Sequence, residues 1–260
     1  MLTNLKMIEG YKLNSIDGEV GNIKEFFFDD KFWTIRYLVA NTGSWLNKRQ
    51  VLISPYFLLN INHSTEMIDV NLTKSEIEKS PSLESDMPVS RQFEESYYGY
   101  YGAPVYWEGN SMWGISPSIT HEREKWRTTE LQEHSWDPNL QSSKDVSGLS
   151  IHANNGDIGH VDDFIIDDET WAIRYLVLDT KKWLPGKKVL ISPHWIGNIS
   201  WEDTKVVVEL SRETIKEAPE YNADDMITRE FETKLHQYYK RQGYWVDESV
   251  TPEYSGRYIR

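Results

Sequence analysis

The chain states one passage twice, and this duplication limits what it can fold into more than any other feature. Asp29 to Pro55 reads DDKFWTIRYLVANTGSWLNKRQVLISP, and Asp167 to Pro193 reads DDETWAIRYLVLDTKKWLPGKKVLISP. Gly18 and Gly156, Trp33 and Trp171, Arg36 and Arg174, Trp45 and Trp183, and Pro55 and Pro193 are separated by one step, 156 − 18 = 138, without a gap. The register continues outward through Ile77 and Ile215, Arg91 and Arg229, and Phe93 and Phe231, to Tyr106-Trp107 and Tyr244-Trp245. A fixed period of this kind means two copies of one folding unit. At 260 residues the chain has room for two ordinary domains.

Within a unit the signals are mainly those of strands. Gly18-Glu19-Val20-Gly21 suits a turn or bulge, and the residues to Phe28 are apolar on both faces. A strand buried on both sides predicts a small, closed or nearly closed barrel that is covered on one side. Asp29-Asp30-Lys31 supplies a tight reversal, because an aspartate accepts from backbone amides just ahead of it. Trp33 to Ala40 returns as the second arm of a hairpin. Val51-Leu52-Ile53 is a short buried strand that Ser54-Pro55 ends, since proline has no amide hydrogen for the ladder. Weaker strands are expected near Phe57–Ile61 and Met67–Leu72.

The period then changes. Thr73-Lys74-Ser75-Glu76 has capping-box spacing and opens a short helix that ends at Pro81, with a twin from Ser211 to Pro219. Phe93, Tyr97, Tyr100 and Tyr101, matched by Phe231, Leu235, Tyr238 and Tyr239, form the stripe of a longer helix. This helix is expected to lie across its own barrel or the other. Glu108 to Val146 has no counterpart. Its Trp113, Trp126 and Trp136 are too costly to leave in water, so it reads as an ordered connector. The domains are therefore read as a barrel over 1–82, helix and connector over 83–147, a barrel over 148–221, and helix and tail over 222–260.

Composition excludes several functions. With 41 acidic and 28 basic residues the net charge is −13, which opposes nucleic acid and anionic membrane surfaces. There are 0 cysteines, so thiol chemistry, thiolate metal sites and disulfides are ruled out. The opening MLTNLKMIEG lacks the apolar core of a signal peptide, and no apolar run reaches the roughly 20 residues of a membrane span. A cytoplasmic location without membrane insertion is expected.

The segments GEVGNIKEFFFDD, WTIRYLV and VLISP, repeated as GDIGHVDDFIIDD, WAIRYLV and VLISP and followed by SRETIKEAPEY, resemble the PRC-barrel family. That family includes the barrel of the photosynthetic reaction-centre H subunit and of a ribosome maturation factor. The resemblance spans roughly residues 10–82 and 148–221. It implies two tandem small antiparallel β-barrels with helical appendages, acting through protein contacts and without a catalytic residue set. Here two barrels are expected to follow one another, without a membrane helix in the sequence ahead of them, so neither photosynthesis nor ribosome assembly is implied.

No side-chain constellation repeats as chemistry would require. The seven histidines, His63, His121, His134, His152, His160, His194 and His236, have no histidine at the matching positions of the other copy. The acidic doublets Asp29-Asp30 and Asp167-Asp168 lack the steps of a calcium loop and read as turns. Neither metal nor cofactor is expected, nor a catalytic residue.

Arg36 and Arg174 sit among apolar neighbours and need partners, for which Glu94 and Glu232 are the candidates, or else they contact the other barrel or a partner. The interface candidates are Arg36, Arg174, Tyr97, Tyr101, Tyr106, Trp107, Tyr239, Tyr244 and Trp245, because tyrosine, tryptophan and arginine dominate interface hot spots. Packing against the chain's own barrels explains them equally well. The expected function is a non-catalytic protein-interaction or assembly module that forms homo-oligomers with partners unidentified. The rivals are a sugar-directed hydrolase or binder using paired carboxylates and tryptophan, and a small-ligand carrier.

Overall fold

The computed structural model describes residues 1–44, 46, 48–81, 89–126, 140–180 and 187–248. Trp45, His134, Trp136, Trp183 and the tail from Ser249, all weighed above, lie outside the described residues. The first half runs through β1 (Leu2–Asn4), a helical turn α1 (Leu5–Ile8), β2 (Lys12–Ser15), β3 (Gly18–Asp29), β4 (Thr34–Asn41), β5 (Gln50–Ile53), β6 (Leu58–Asn62) and β7 (Met67–Val70). Helices α2 (Lys74–Lys79) and α3 (Arg91–Tyr101) follow. The second half presents β8 (Leu140–Ser142), α4 (Ser143–Val146), β9 (Ser150–Ala153), β10 (Gly156–Asp167), β11 (Ile173–Asp179), β12 (Lys188–Ile191), β13 (Ile196–Ser200) and β14 (Lys205–Val208). It ends with α5 (Arg212–Glu217), α6 (Arg229–Tyr239) and a last turn, α7 (Tyr244–Glu248).

The strands form two mixed sheets of seven. One has the order β5-β4-β3-β2-β7-β6 with β8 added to β3, and the other β12-β11-β10-β9-β14-β13 with β1 added to β10. Among the described residues, only β2 with β7 and β9 with β14 pair in parallel. Neither path returns on itself among the described residues, which corrects the closed barrel to an open sheet. The break falls where Pro55 and Pro193 begin 3-10 turns, and there the ladder has no amide to continue it. The strands are apolar on both faces because a helix of their own half and elements of the other half cover them.

Each half lends its first strand to the other. Leu2, Thr3 and Asn4 pair with Asp167, Ile166 and Ile165, and Leu140, Gln141 and Ser142 pair with Asp29, Phe28 and Phe27. Adding 138 to one set reproduces the other, so the exchange is pseudo-twofold. The helical turns travel with the strands: Ser143 Oγ accepts from the Phe26 amide at 3.1 Å, and Asp163 accepts from the Lys6 amide at 3.2 Å. At the axis Thr34 pairs with Ala172, flanked by Ile35 N–H to Trp171 O at 2.9 Å and Ile173 N–H to Trp33 O at 2.6 Å. Trp33 and Trp171 hold left-handed backbone, φ 49° and 61°, a conformation that costs about 1–2 kcal/mol outside glycine. It accompanies the two carbonyls that bond across the axis.

The glycine pair has one strict requirement. A Cβ on Gly21 would stand 2.0 Å from the Asn41 carbonyl oxygen, and one on Gly159 2.2 Å from that of Asp179. The expected capping box is present at Thr73 and Glu76. The aromatic helices pack on their own halves. Tyr97 Oη donates to the Leu52 carbonyl at 3.1 Å and accepts from the Ser54 amide at 3.0 Å, while Tyr239 lies 4.5 Å from Trp195.

Candidate functional site

The conspicuous polar constellations are two related clusters under α3 and α6. The reversal after β3 is fixed by Asp29, whose carboxylate accepts from the Phe32 amide at 2.7 Å and from Arg36 Nε at 2.5 Å. Its counterpart Asp167 accepts from the Glu169 amide at 3.1 Å and from Arg174 Nη2 at 3.0 Å. The turn aspartates, and not the helix acids Glu94 and Glu232, are thus the arginines' carboxylate partners. Hairpin geometry explains this: Asp29 pairs with Thr34, and Arg36 lies only two residues further along the returning strand, at the irregularity in the ladder, within reach of the turn carboxylate.

The helix acids serve tyrosines instead. Glu94 Oε1 accepts from Tyr37 Oη at 2.9 Å and Tyr106 Oη at 2.7 Å, with Arg91 at 3.2 Å. Glu232 Oε1 accepts from Tyr175 at 2.8 Å and Tyr244 at 2.9 Å, with Arg229 at 2.9 Å. Burial pushes the Glu94 carboxyl up to about 7, against the pull of Arg91 and the two hydroxyls. In the second cluster Tyr175 also meets His236 at 3.0 Å, where the first cluster has Tyr98, and burial lowers the His236 imidazole.

These bonds decide where the interface candidates lie. Arg36, Arg174, Tyr97, Tyr101, Tyr106, Tyr239 and Tyr244 are buried, and Trp107 and Trp245 are half-buried. Trp107 covers Arg91 at 3.8 Å and Trp245 covers Arg229 at 4.3 Å. The set therefore fixes the helices and the 106–107 and 244–245 segments to their own sheets, and it does not form a free surface.

The rings described around the two arginines differ. In the first half the Arg36 guanidinium lies 4.1 Å from the Tyr106 ring and 4.8 Å from the Trp113 ring, a cation–π contact with each. Trp113 also meets Tyr56 edge-on at 5.1 Å and donates its indole N–H to the Thr170 carbonyl at 3.1 Å. In the second half Arg174 lies 3.9 Å over Tyr244. Among the described residues, a cleft of about 370 Å³ lies beside Arg174, lined by Lys31, Phe32, Trp33 and Met112 and by Arg174, His194 and Tyr244. Sequence reading placed Trp113 in an ordered connector but carried no signal for its seat. His194 was set aside because its twin is Tyr56, yet both residues line the same place.

Other candidates engage in structural contacts. His160, Asp162 and Asp179 are grouped closely enough to hold a cation, but Asp162 already binds Lys6 and Lys188 at 2.7 Å each. His152 pairs with Asp157 across its hairpin at 2.7 Å, and His121 Nδ1 lies 3.3 Å from the Tyr56 carbonyl.

Residues 140–215 match the PRC-barrel domain. The match opens on β8, the strand lent to the other sheet. An uncharacterized protein of Deinococcus radiodurans is 34% identical over 85 residues, which make up 32% of this chain and 30% of the relative. The matched part of the chain thus spans less than a third of that relative's length.

Proposed function

We propose that the chain is a non-catalytic binding or assembly protein of the cytoplasm, built from two PRC-barrel-type units of which residues 140–215 are one. The other corresponds to residues 2–77, since 140 − 138 = 2 and 215 − 138 = 77, and its sheet has the same strand order. The observation that carries the reading is that the duplicated Asp–Arg pairs and the duplicated helix glutamates are held in structural contacts within their own halves, whereas a cleft between the halves is lined by aromatic and cationic groups. Of the doublet carboxylates, Asp29 and Asp167 hold turns and arginines, an arrangement that does not suit paired acid–base work at a sugar. The net charge of −13 favours a protein partner over nucleic acid.

Affinity capture of the full chain with mass spectrometry, alongside light scattering and an aryl-glycoside hydrolysis screen, tests this reading. It predicts a saturable complex of defined mass with another polypeptide and no turnover. Glycoside turnover, with the chain free of any polypeptide partner, contradicts it.

A further inference from the structure

The hairpin tips of the two halves are tied down alike. Asp17 and Gly18 lead into β3, and Asn155 and Gly156 lead into β10. Asp17 Oδ1 accepts from the amide of Lys74 at 2.7 Å, and Asn155 Oδ1 accepts from the amide of Arg212 at 2.9 Å, so each tip is fastened to the start of α2 or α5. At the next helix position the halves differ. The first has Ser75, whereas the second has Glu213, whose Oε2 accepts from Asn155 Nδ2 at 2.8 Å. The bond from Asn155 holds the Glu213 carboxyl below its ordinary range.

Asn155 belongs to the one Asn-Gly pair of the sequence, and it is exposed. Its side-chain carbonyl carbon, polarised by the Arg212 amide, is an electrophile. The backbone nitrogen of Gly156 is a nucleophile without a side chain of its own to shield it. Even a Cβ on Gly156 would meet nothing closer than the Arg212 side chain at 3.5 Å.

We infer that Asn155 is a site of spontaneous deamidation and that its product uncouples the β9–β10 hairpin from α5. The Gly156 nitrogen bonds to Asn155 Cγ, the Cγ–Nδ2 bond breaks, and ammonia leaves with the proton that Gly156 gives up. Water then opens the cyclic imide at either carbonyl, leaving aspartate or isoaspartate at position 155. Aspartate keeps the bond from the Arg212 amide, as Asp17 keeps the bond from Lys74. It has no N–H for Glu213, however, and sets a second carboxylate against it. Isoaspartate also lengthens the main chain inside a turn that Ala153 and Gly156 close as a pair.

The full chain is incubated at mildly alkaline pH and mapped by peptide mass spectrometry, with isoaspartate detected by isoaspartyl methyltransferase labelling. Asn155 should become about 1 Da heavier, in part as isoaspartate. The change should be at least tenfold faster than at Asn110, which is also exposed but precedes Ser111. Asn155→Asp copies Asp17 and should fold, with a folding equilibrium constant in urea several-fold below that of the wild type. Glu213→Ser copies Ser75, and in its background Asn155→Asp should cost nothing.

The inference is overturned if Asn155 changes no faster than Asn110, or if it yields aspartate without isoaspartate, which would exclude the imide. It is also overturned if the Asn155→Asp chain is as stable as the wild type, or if its loss persists undiminished beside Glu213→Ser.

Discussion

Ile35 donates its amide hydrogen to the Trp171 carbonyl at 2.9 Å, and Ile173, its counterpart, donates to Trp33 at 2.6 Å. The two bonds straddle a pseudo-twofold axis, and with the exchanged strands they join the halves through backbone pairing. A pair of small units in contact only through side chains would be free to move against each other. Two sheets that each complete the other resist such motion, which is what a cleft with walls from both halves needs.

The buried ion pair under the first cluster predicts an asymmetric mutational response. Arg36→Met leaves the Asp29 carboxylate, 3% exposed, without its cation, and should cost about 3–5 kcal/mol in urea unfolding. Arg36→Met combined with Asp29→Asn should recover much of that loss, because no unpaired charge then remains.

Glu94 makes stability depend on pH. Its carboxyl titrates near 7 in the fold against an ordinary 4.5, so the folded state favours the protonated acid. Its contribution is fully present below about 4.5 and is lost as pH rises through 7, an effect on the order of 3 kcal/mol. Asp163, raised to about 6 by burial, acts in the same direction, and the lowered His236 acts oppositely. Comparing the wild type with Glu94→Gln isolates the glutamate: the difference in unfolding free energy should change across this window and level off on either side.

Close strand approach at the second glycine of each pair predicts a position-specific penalty. Gly159→Ala would place a Cβ 2.2 Å from the Asp179 carbonyl oxygen and should cost about 3 kcal/mol. Gly99→Ala, exposed on α3 with nothing within 4 Å of the new methyl, should instead stabilise by about 0.5–1 kcal/mol. Thermal unfolding of the two variants measures the contrast.

Much of the scaffold was legible because its signals are local. The Asp29 reversal, the proline stops and the Thr73–Glu76 cap each act within a few residues. The strand exchange was not legible, since LTN and LQS are too short to show a period and their partners lie more than a hundred residues away. The arginine partners were misassigned for a related reason. Glu94 is an apt partner for a cation, but the hydroxyls of Tyr37 and Tyr106 occupy it, whereas the hairpin holds Asp29 opposite Thr34, two residues from Arg36. Aromatic stripes look alike whether they face a core or a partner. Only tertiary position decides, as the Trp113 indole beside Arg36 shows.

The interlocked halves are tested most directly by a disulfide across the axis. Thr34 and Ala172 form an antiparallel pair flanked by, and not joined by, hydrogen bonds, a position where Cα atoms stand about 4.5 Å apart and suit a disulfide. The chain contains 0 cysteines, so Thr34→Cys with Ala172→Cys introduces the only thiols. On mild oxidation in dilute solution, intact mass should show near-complete loss of two hydrogens within single chains and no free thiol. Persistent free thiols in the folded protein, or crosslinks only between chains, would contradict the pseudo-twofold junction.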